Sequence, residues 1–289
     1  MSEINAALVG KLREKSGARL MDCKKALTET QGEFASKGEA AWLDAAEGWL
    51  RKKSLDKGGS MADRAASEGL LGHKAGNGGK SMTVVEMTAN TDFVAKNEEF
   101  LKLLNSLVDM ADANKIESAE KLAAMSIGGA SVSDTLKALA GKIGENIGLK
   151  RVVRFEGEIG FYIHHDNKQG AIVELTGVEG EKAQAIGKDI SMHIVFAKPS
   201  VLTREEVSPE LLKKETEIAT ERLKTDPKNA NKPPEILAKI AAGQINKFYS
   251  TLVLPDQPYY KDGNKTVAQV LKDQGATVKR FVRFEVGAI

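Results

Sequence analysis

Apolar residues near the start of the chain recur with the period of an α-helix. Ile4, Leu8 and Leu12 stand four apart, Ser16-Gly17 interrupts them, and Asp22 is placed to cap a second short helix through Leu27. Trp42, Trp49 and Leu50 then share one face of a helix over 39–53, which ends on Arg51-Lys52-Lys53, a charge suited to a helix C-terminus. The pattern predicts a three-helix unit over residues 1–53 with both tryptophans in its core. Ser54 to Met61 carries Gly58-Gly59-Ser60 and reads as a linker, placed at 54–63.

Beyond it the period shortens. Two apolar runs, Gly69 to Leu71 and Met82 to Met87, flank Gly76-Asn77-Gly78-Gly79, whose residues tolerate the positive φ of a hairpin turn. After Thr91 the spacing is helical again, through Phe93, Phe100, Leu101, Leu104, Leu107 and Val108, then through Leu136, Leu139 and Ile143. Val84-Val85-Glu86-Met87-Thr88 is echoed by Ile172-Val173-Glu174-Leu175-Thr176, each a strand followed by a helix, which suggests two related α+β halves at 64–150 and 151–289. The second half opens with Arg151, Val152, Val153 and Phe155, continues through Gly170 to Leu175, and enters a helix with Ile186, Ile190, Ile194 and Val195 that stops before Pro199. Ser208 precedes Pro209 as an N-cap for Leu211, Leu212, Ile218 and Leu223, and Pro233-Pro234 opens a helix through Ile236, Leu237, Ile240 and Ile245. These two helices predict an antiparallel helical hairpin at about 208–248, inserted before a closing strand in which Phe281, Arg283 and Glu285 alternate with Val282, Phe284 and Val286.

Charge removes one class of function. Lys and Arg number 42 against 40 Asp and Glu, so there is no electrostatic case for a nucleic-acid binder, and a partner must be recognised by shape and specific contacts. The single cysteine, Cys23, excludes an internal disulfide and a cysteine metal cluster, which fits the cytoplasm. Charges interrupt the stretch from Met1 to Leu20, unlike a signal peptide, and no apolar run is long enough to span a membrane.

Candidate chemistry is sparse. Gly78-Gly79-Lys80-Ser81 looks like the tail of a phosphate-binding loop, but Lys74 stands where its first glycine belongs and a strand follows where a helix is needed, so a hairpin turn is the better reading. Among His73, His164, His165 and His193 there is no metal-ligand spacing, and His164 and His165 would point to opposite sides of any strand. No nucleophile motif is present, and Lys213-Lys214-Glu215-Thr216-Glu217 mixes charge signs as a solvated helix face does. The expectation is a protein that is not an enzyme, with no metal and no cofactor.

Thr91-Asp92-Phe93-Val94-Ala95-Lys96-Asn97 lies where a strand hands over to a helix, a place where function is often carried. On the residues alone, Asp92 caps the helix and Phe93 staples it to the core. Thr91-Asp92-Phe93-Val94 nevertheless resembles the signature of the elongation factor Ts family. Further stretches resemble that family in the same order: Leu12-Arg13-Glu14-Lys15-Ser16-Gly17-Ala18 with Met21-Asp22-Cys23-Lys24-Lys25-Ala26-Leu27, Ala66-Ser67-Glu68-Gly69, Lys142-Ile143-Gly144-Glu145-Asn146-Ile147, Met192-His193-Ile194 with Ala197-Lys198-Pro199, and Lys247-Phe248-Tyr249. The fold class expected is therefore α+β: a helical N-terminal three-helix (UBA-like) unit, two related α+β core halves, and the inserted hairpin.

The resemblance implies a guanine nucleotide exchange factor whose partner is elongation factor Tu. Thr91, Asp92, Phe93 and Val94 would disturb the partner's magnesium and phosphate loop until GDP leaves. Arg13, Met21, Asp22 and Lys24 would dock the N-terminal unit, and the His193 region would hold a distant domain of the partner. Self-association through the helical hairpin is a further expectation. Two departures stand out: Gly32 to Gly48 is longer than the family's usual approach to its third helix, and the chain stops at Ile289 where many members continue into another helix.

Overall fold

In a computed structural model the described residues are 3–59, 66–225 and 232–288. The chain forms two compact units, one from Met1–Lys74, Thr83–Arg154 and Val286–Ile289, the other from Ala75–Met82 and Phe155–Glu285.

The first unit begins with helices α1 (Ala6–Ser16), α2 (Leu20–Phe34) and α3 (Glu39–Gly59). Leu8, Leu12, Cys23, Ala26, Leu27, Trp42, Ala46 and Leu50 form their shared core. Trp42 is fully buried, and its indole N–H is shared between the Leu27 carbonyl and Thr30 Oγ1, each at 3.1 Å, so burial leaves no donor unmet. Two expectations are corrected here. α2 is neither short nor capped by Asp22: Arg19 is its N-cap, Asp22 sits in the first turn facing the helix dipole, and the buried face continues to Thr30. The stretch expected as a linker is helical as far as Gly59, because α3 stays packed on a later helix; residues 60–63 of that stretch lie outside the described residues.

A three-stranded sheet follows, in the order β1 (Glu68–Gly76), β2 (Ser81–Ala89), β5 (Ile147–Glu156). The expected hairpin turn is present as a short 3-10 segment, Asn77–Gly79. Between β2 and β5 run α4 (Asp92–Ala95), α5 (Glu98–Ala113), α6 (Ala119–Ala124), a tiny hairpin of β3 (Ser126–Ile127) and β4 (Ala130–Ser131), and α7 (Val132–Ile143). Val85, Met87 and Ala89 of β2 face Phe100, Leu104 and Leu107 of α5 and Leu136 and Leu139 of α7 in one core. The division expected at residue 150 falls inside β5, whose pairing with β2 keeps it in the first sheet.

The second unit repeats that plan. β6 (Glu158–Ile163) and β7 (Gln169–Thr176) are antiparallel neighbours, α8 (Gly180–Ala197) follows, and β10 (Thr277–Glu285) returns antiparallel on the other side of β7. α8 lies on β6 and β7 so closely that a Cβ on Gly160 would stand 2.1 Å from the Gly187 Cα, a crossing that only two glycines permit. Between α8 and β10 come α9 (Pro209–Thr225) and α10 (Pro234–Leu252), which contact one another, then β8 (Pro258–Tyr259), β9 (Asp262–Thr266) and α11 (Val267–Gln274). Pro233 and Pro234 occupy the N-cap and first position of α10, where the missing N–H costs nothing. His164 and His165 are not on a strand: they follow β6 in the turn before β7, and with no pleat to part them their rings lie 4.3 Å apart. Among the described residues no helix is long and apolar enough to cross a membrane.

Candidate functional site

β2 is buried along its whole length and ends at Ala89, so the chain leaves the sheet at a fixed point. Asn90 then accepts the Asn146 N–H at 2.6 Å, tying the exit to the segment between α7 and β5. Thr91, not Asp92, is the N-cap of α4: its Oγ1 accepts the Val94 N–H at 3.5 Å and donates to Glu145 Oε2 at 2.8 Å. Asp92 is the first helical residue and pairs with Lys96 one turn on, at 2.8 Å. Val94 and Ala95 go into the core.

Phe93 does not. It is 81% exposed, more than any other large hydrophobic side chain among the described residues, so it staples nothing. An aromatic ring held in water on a capped, core-anchored turn forgoes burial and is available to a partner. The roles read from the residues alone are thus corrected: Thr91 caps in place of Asp92, Val94 packs in place of Phe93, and Phe93 is left outside.

The expected docking residues lie at the start of α2 and beside it. Met21 is 72% exposed and its neighbour Leu20 52%. Arg13 and Lys24 are exposed, while Asp22 is half-buried and reaches Lys53 of α3 at 3.6 Å, which gives it a share in holding the helices together. Arg19, immediately before Leu20, donates to the Ile143 carbonyl at 2.5 Å. Arg13, Met21, Asp22, Lys24 and Thr91–Val94 all belong to the first unit, and the segment 143–146 receives contacts from both Arg19 and Thr91.

His193 belongs to the second unit and is fully buried. Its Nδ1 accepts the Tyr260 N–H at 3.3 Å, so Nε2 carries the proton and donates to Gln257 Oε1 at 2.9 Å. The Gln257 amide in turn donates to the carbonyls of Ala197 and Thr251. Burial holds the imidazole below its ordinary pKa, with the Gln257 contact opposing this in part, so it is neutral. Any role in binding therefore runs through what it positions, namely the 257–260 segment and, one turn along α8, Phe196, which is 74% exposed with its ring 6.4 Å from that of Tyr260.

Sequence reasoning missed Leu20, Glu145 and Phe196. Leu20 and Phe196 each stood beside a named residue, but whether an apolar side chain faces water depends on the neighbouring helix. Glu145 lies within the Lys142–Ile147 motif, in which no single residue stands out by pattern. Among the described residues no group of three or more His, Cys, Asp and Glu is placed to hold a metal ion.

A family model described as Elongation factor TS matches residues 90–288. The chain is 40% identical to elongation factor Ts of Hyphomonas neptunium, across 99% of this chain and 93% of that protein. It is 39% identical to elongation factor Ts of an Azoarcus species over 99% and 92%. With that of Deinococcus deserti the identity is 40%, over 97% and 98%. An exposed phenylalanine on the Thr-Asp-Phe-Val turn, and likeness running through both units, lead to one conclusion: the chain belongs to the elongation factor Ts family.

Proposed function

We propose that the protein is a guanine nucleotide exchange factor of translation elongation that binds elongation factor Tu with GDP and drives GDP out. The observation that carries this is the exposure of Phe93 on a turn capped by Thr91 and anchored in the core by Val94 and Ala95. Phe93 enters the GTPase near its magnesium and phosphate loop while Asp92, on the same first turn, bears on the ligands of the ion. Bound Mg²⁺ depends on phosphate oxygens and few protein ligands, so displacing those ligands loosens the nucleotide without a bond being made or broken. The protein supplies no covalent chemistry. Arg13, Met21 and Lys24, together with the exposed Leu20, dock the N-terminal helices, and His193 holds the Phe196–Tyr260 surface against a second part of the partner. Because exchange factor and GDP weaken each other reciprocally, the nucleotide-free GTPase is bound more tightly than its GDP form.

The test is stopped-flow release of a fluorescent GDP from elongation factor Tu. Burying a phenylalanine stabilises by roughly 1.5–3 kcal/mol, so Phe93→Ala should slow accelerated release by about 10- to 150-fold at saturating protein. No acceleration by the unaltered protein would overturn the assignment, and a Phe93→Ala form that exchanges normally would remove the wedge from it.

A further inference from the structure

The Phe93 turn is held from outside as well as by its own backbone. Thr91 reaches across to Glu145 at 2.8 Å, a contact between residues far apart in sequence. Glu145 follows α7 directly after Gly144, which caps that helix in the left-handed conformation (φ 88°). The last carbonyl of α7, that of Ile143, takes the Arg19 guanidinium, and Arg19 is the N-cap of α2, next to Leu20 and Met21. Three consecutive residues, Ile143, Gly144 and Glu145, therefore connect the exposed start of α2 to the turn that presents Phe93.

We propose that Glu145 is a positioning residue for nucleotide exchange, and that Arg19, the 143–145 segment and Thr91 form a strut transmitting the docking of α2 to Phe93. This rests on the exchange reading above and adds to it the route by which one contact serves the other. Docking α2 yields binding free energy at a site remote from the nucleotide. That energy accelerates release only if it is spent holding Phe93 where it disturbs the metal, which requires a rigid link between the two. The strut is rigid for identifiable reasons: Asn146 and Asn90 are bonded beside it, Lys142 pairs with Glu99 of α5 at 2.8 Å, and α7 is packed on α3. Glu145 needs no contact with the partner for this. It fixes Thr91, and through Thr91 the first turn of α4.

A positioning role and a merely structural one separate in the exchange assay. Glu145→Ala should lower the maximal rate of fluorescent GDP release from elongation factor Tu by roughly three- to tenfold, the range one hydrogen bond commands, while the concentration giving half-maximal rate moves by less than about twofold. Glu145→Gln keeps a carbonyl acceptor for Thr91 and should restore the rate. In a Phe93→Ala background, Glu145→Ala and Arg19→Ala should each add no further loss, since neither has a wedge left to position. Equal effects of Glu145→Ala with and without Phe93 would overturn the proposal, as would an unchanged maximal rate, or a loss that tracks a fall in melting temperature in both the Ala and Gln forms. If the unaltered protein fails to accelerate release, the exchange reading itself falls. If it accelerates, and Phe93→Ala alone slows it, only the strut is refuted.

Discussion

Changing Gly141 to alanine tests the seat on which the N-terminal helices rest. A Cβ built at Gly141 in α7 would stand 2.0 Å from the Ser54 carbonyl oxygen and 2.6 Å from its Cα, all backbone atoms of α3. Backbone cannot rotate aside as a side chain can, so the two helices must part by roughly 1 Å before the contact is tolerable. Overpacking of this kind costs about 1–3 kcal/mol, against a gain of about 0.5–1 kcal/mol from replacing a helical glycine. The net loss of up to about 2.5 kcal/mol should lower the melting temperature by up to roughly 10 °C. Gly48 supplies the control. It lies within α3 with nothing within 4 Å of its would-be Cβ, so Gly48→Ala should raise stability by up to about 1 kcal/mol. The same added methyl thus carries opposite signs at two positions, read by circular dichroism melts of the two variants beside the parent. A Gly141→Ala form that melts above the parent, as Gly48→Ala should, would refute the close α3–α7 packing and the rigid strut that depends on it.

Trp42→Phe removes the N–H shared by the Leu27 carbonyl and Thr30 Oγ1, and should cost about 1–2 kcal/mol in urea unfolding; a loss of a few tenths would show that the indole N–H is not needed there. His193 gives a pH dependence. Burial lowers its folded pKa below that of the unfolded chain, so as pH falls through about 6.5 the unfolded state takes up a proton that the native state resists, and stability is lost on the acid side. The stability difference between the parent and His193→Gln should therefore shrink between pH 7 and 5.5, and a constant difference would mean that the imidazole is not held neutral.

The helical periods, the hairpin glycines and the period-two closing strand were legible because each rests on residues close in sequence. The end of α2, the helical course of 54–59 and the place of β5 were not, since they are decided by contacts with distant elements. Glycine in α3 is tolerated where packing on α7 outweighs its weak helical preference. The site divided in the same way. The motif Thr91–Val94 was visible, but which residue caps and which stays outside depends on Glu145 and on the core that receives Val94.

The repeat extends well beyond its two central strands, and its remainder bears on function. At the same spacing that carries Val84–Thr88 onto Ile172–Thr176, Glu68-Gly69-Leu70-Leu71-Gly72 corresponds to Glu156-Gly157-Glu158-Ile159-Gly160, and Ser81 and Gln169 open β2 and β7. Lys150-Arg151 through Phe155-Glu156 is answered by Lys279-Arg280 through Phe284-Glu285. The structure explains one matched pair: buried Glu86 bonds Arg151 at 2.8 Å, and buried Glu174 bonds Arg280 at 2.6 Å, each a carboxylate on a central strand met by an arginine of the strand beside it. Leaving either carboxylate unpaired would be costly, so the pairs have to be kept together. The correspondence extends to the N-caps after the central strands, Thr91 before α4 and Glu179 before α8. One residue further into each helix than its first, the units differ: Phe93 stands in one and Glu181 in the other, both exposed. In the second unit the glutamate lies in the first turn of α8, where it gains from the helix dipole. An exposed phenylalanine at that position is thus not explained by the repeated scaffold, which is what the exchange reading proposed for Phe93 expects.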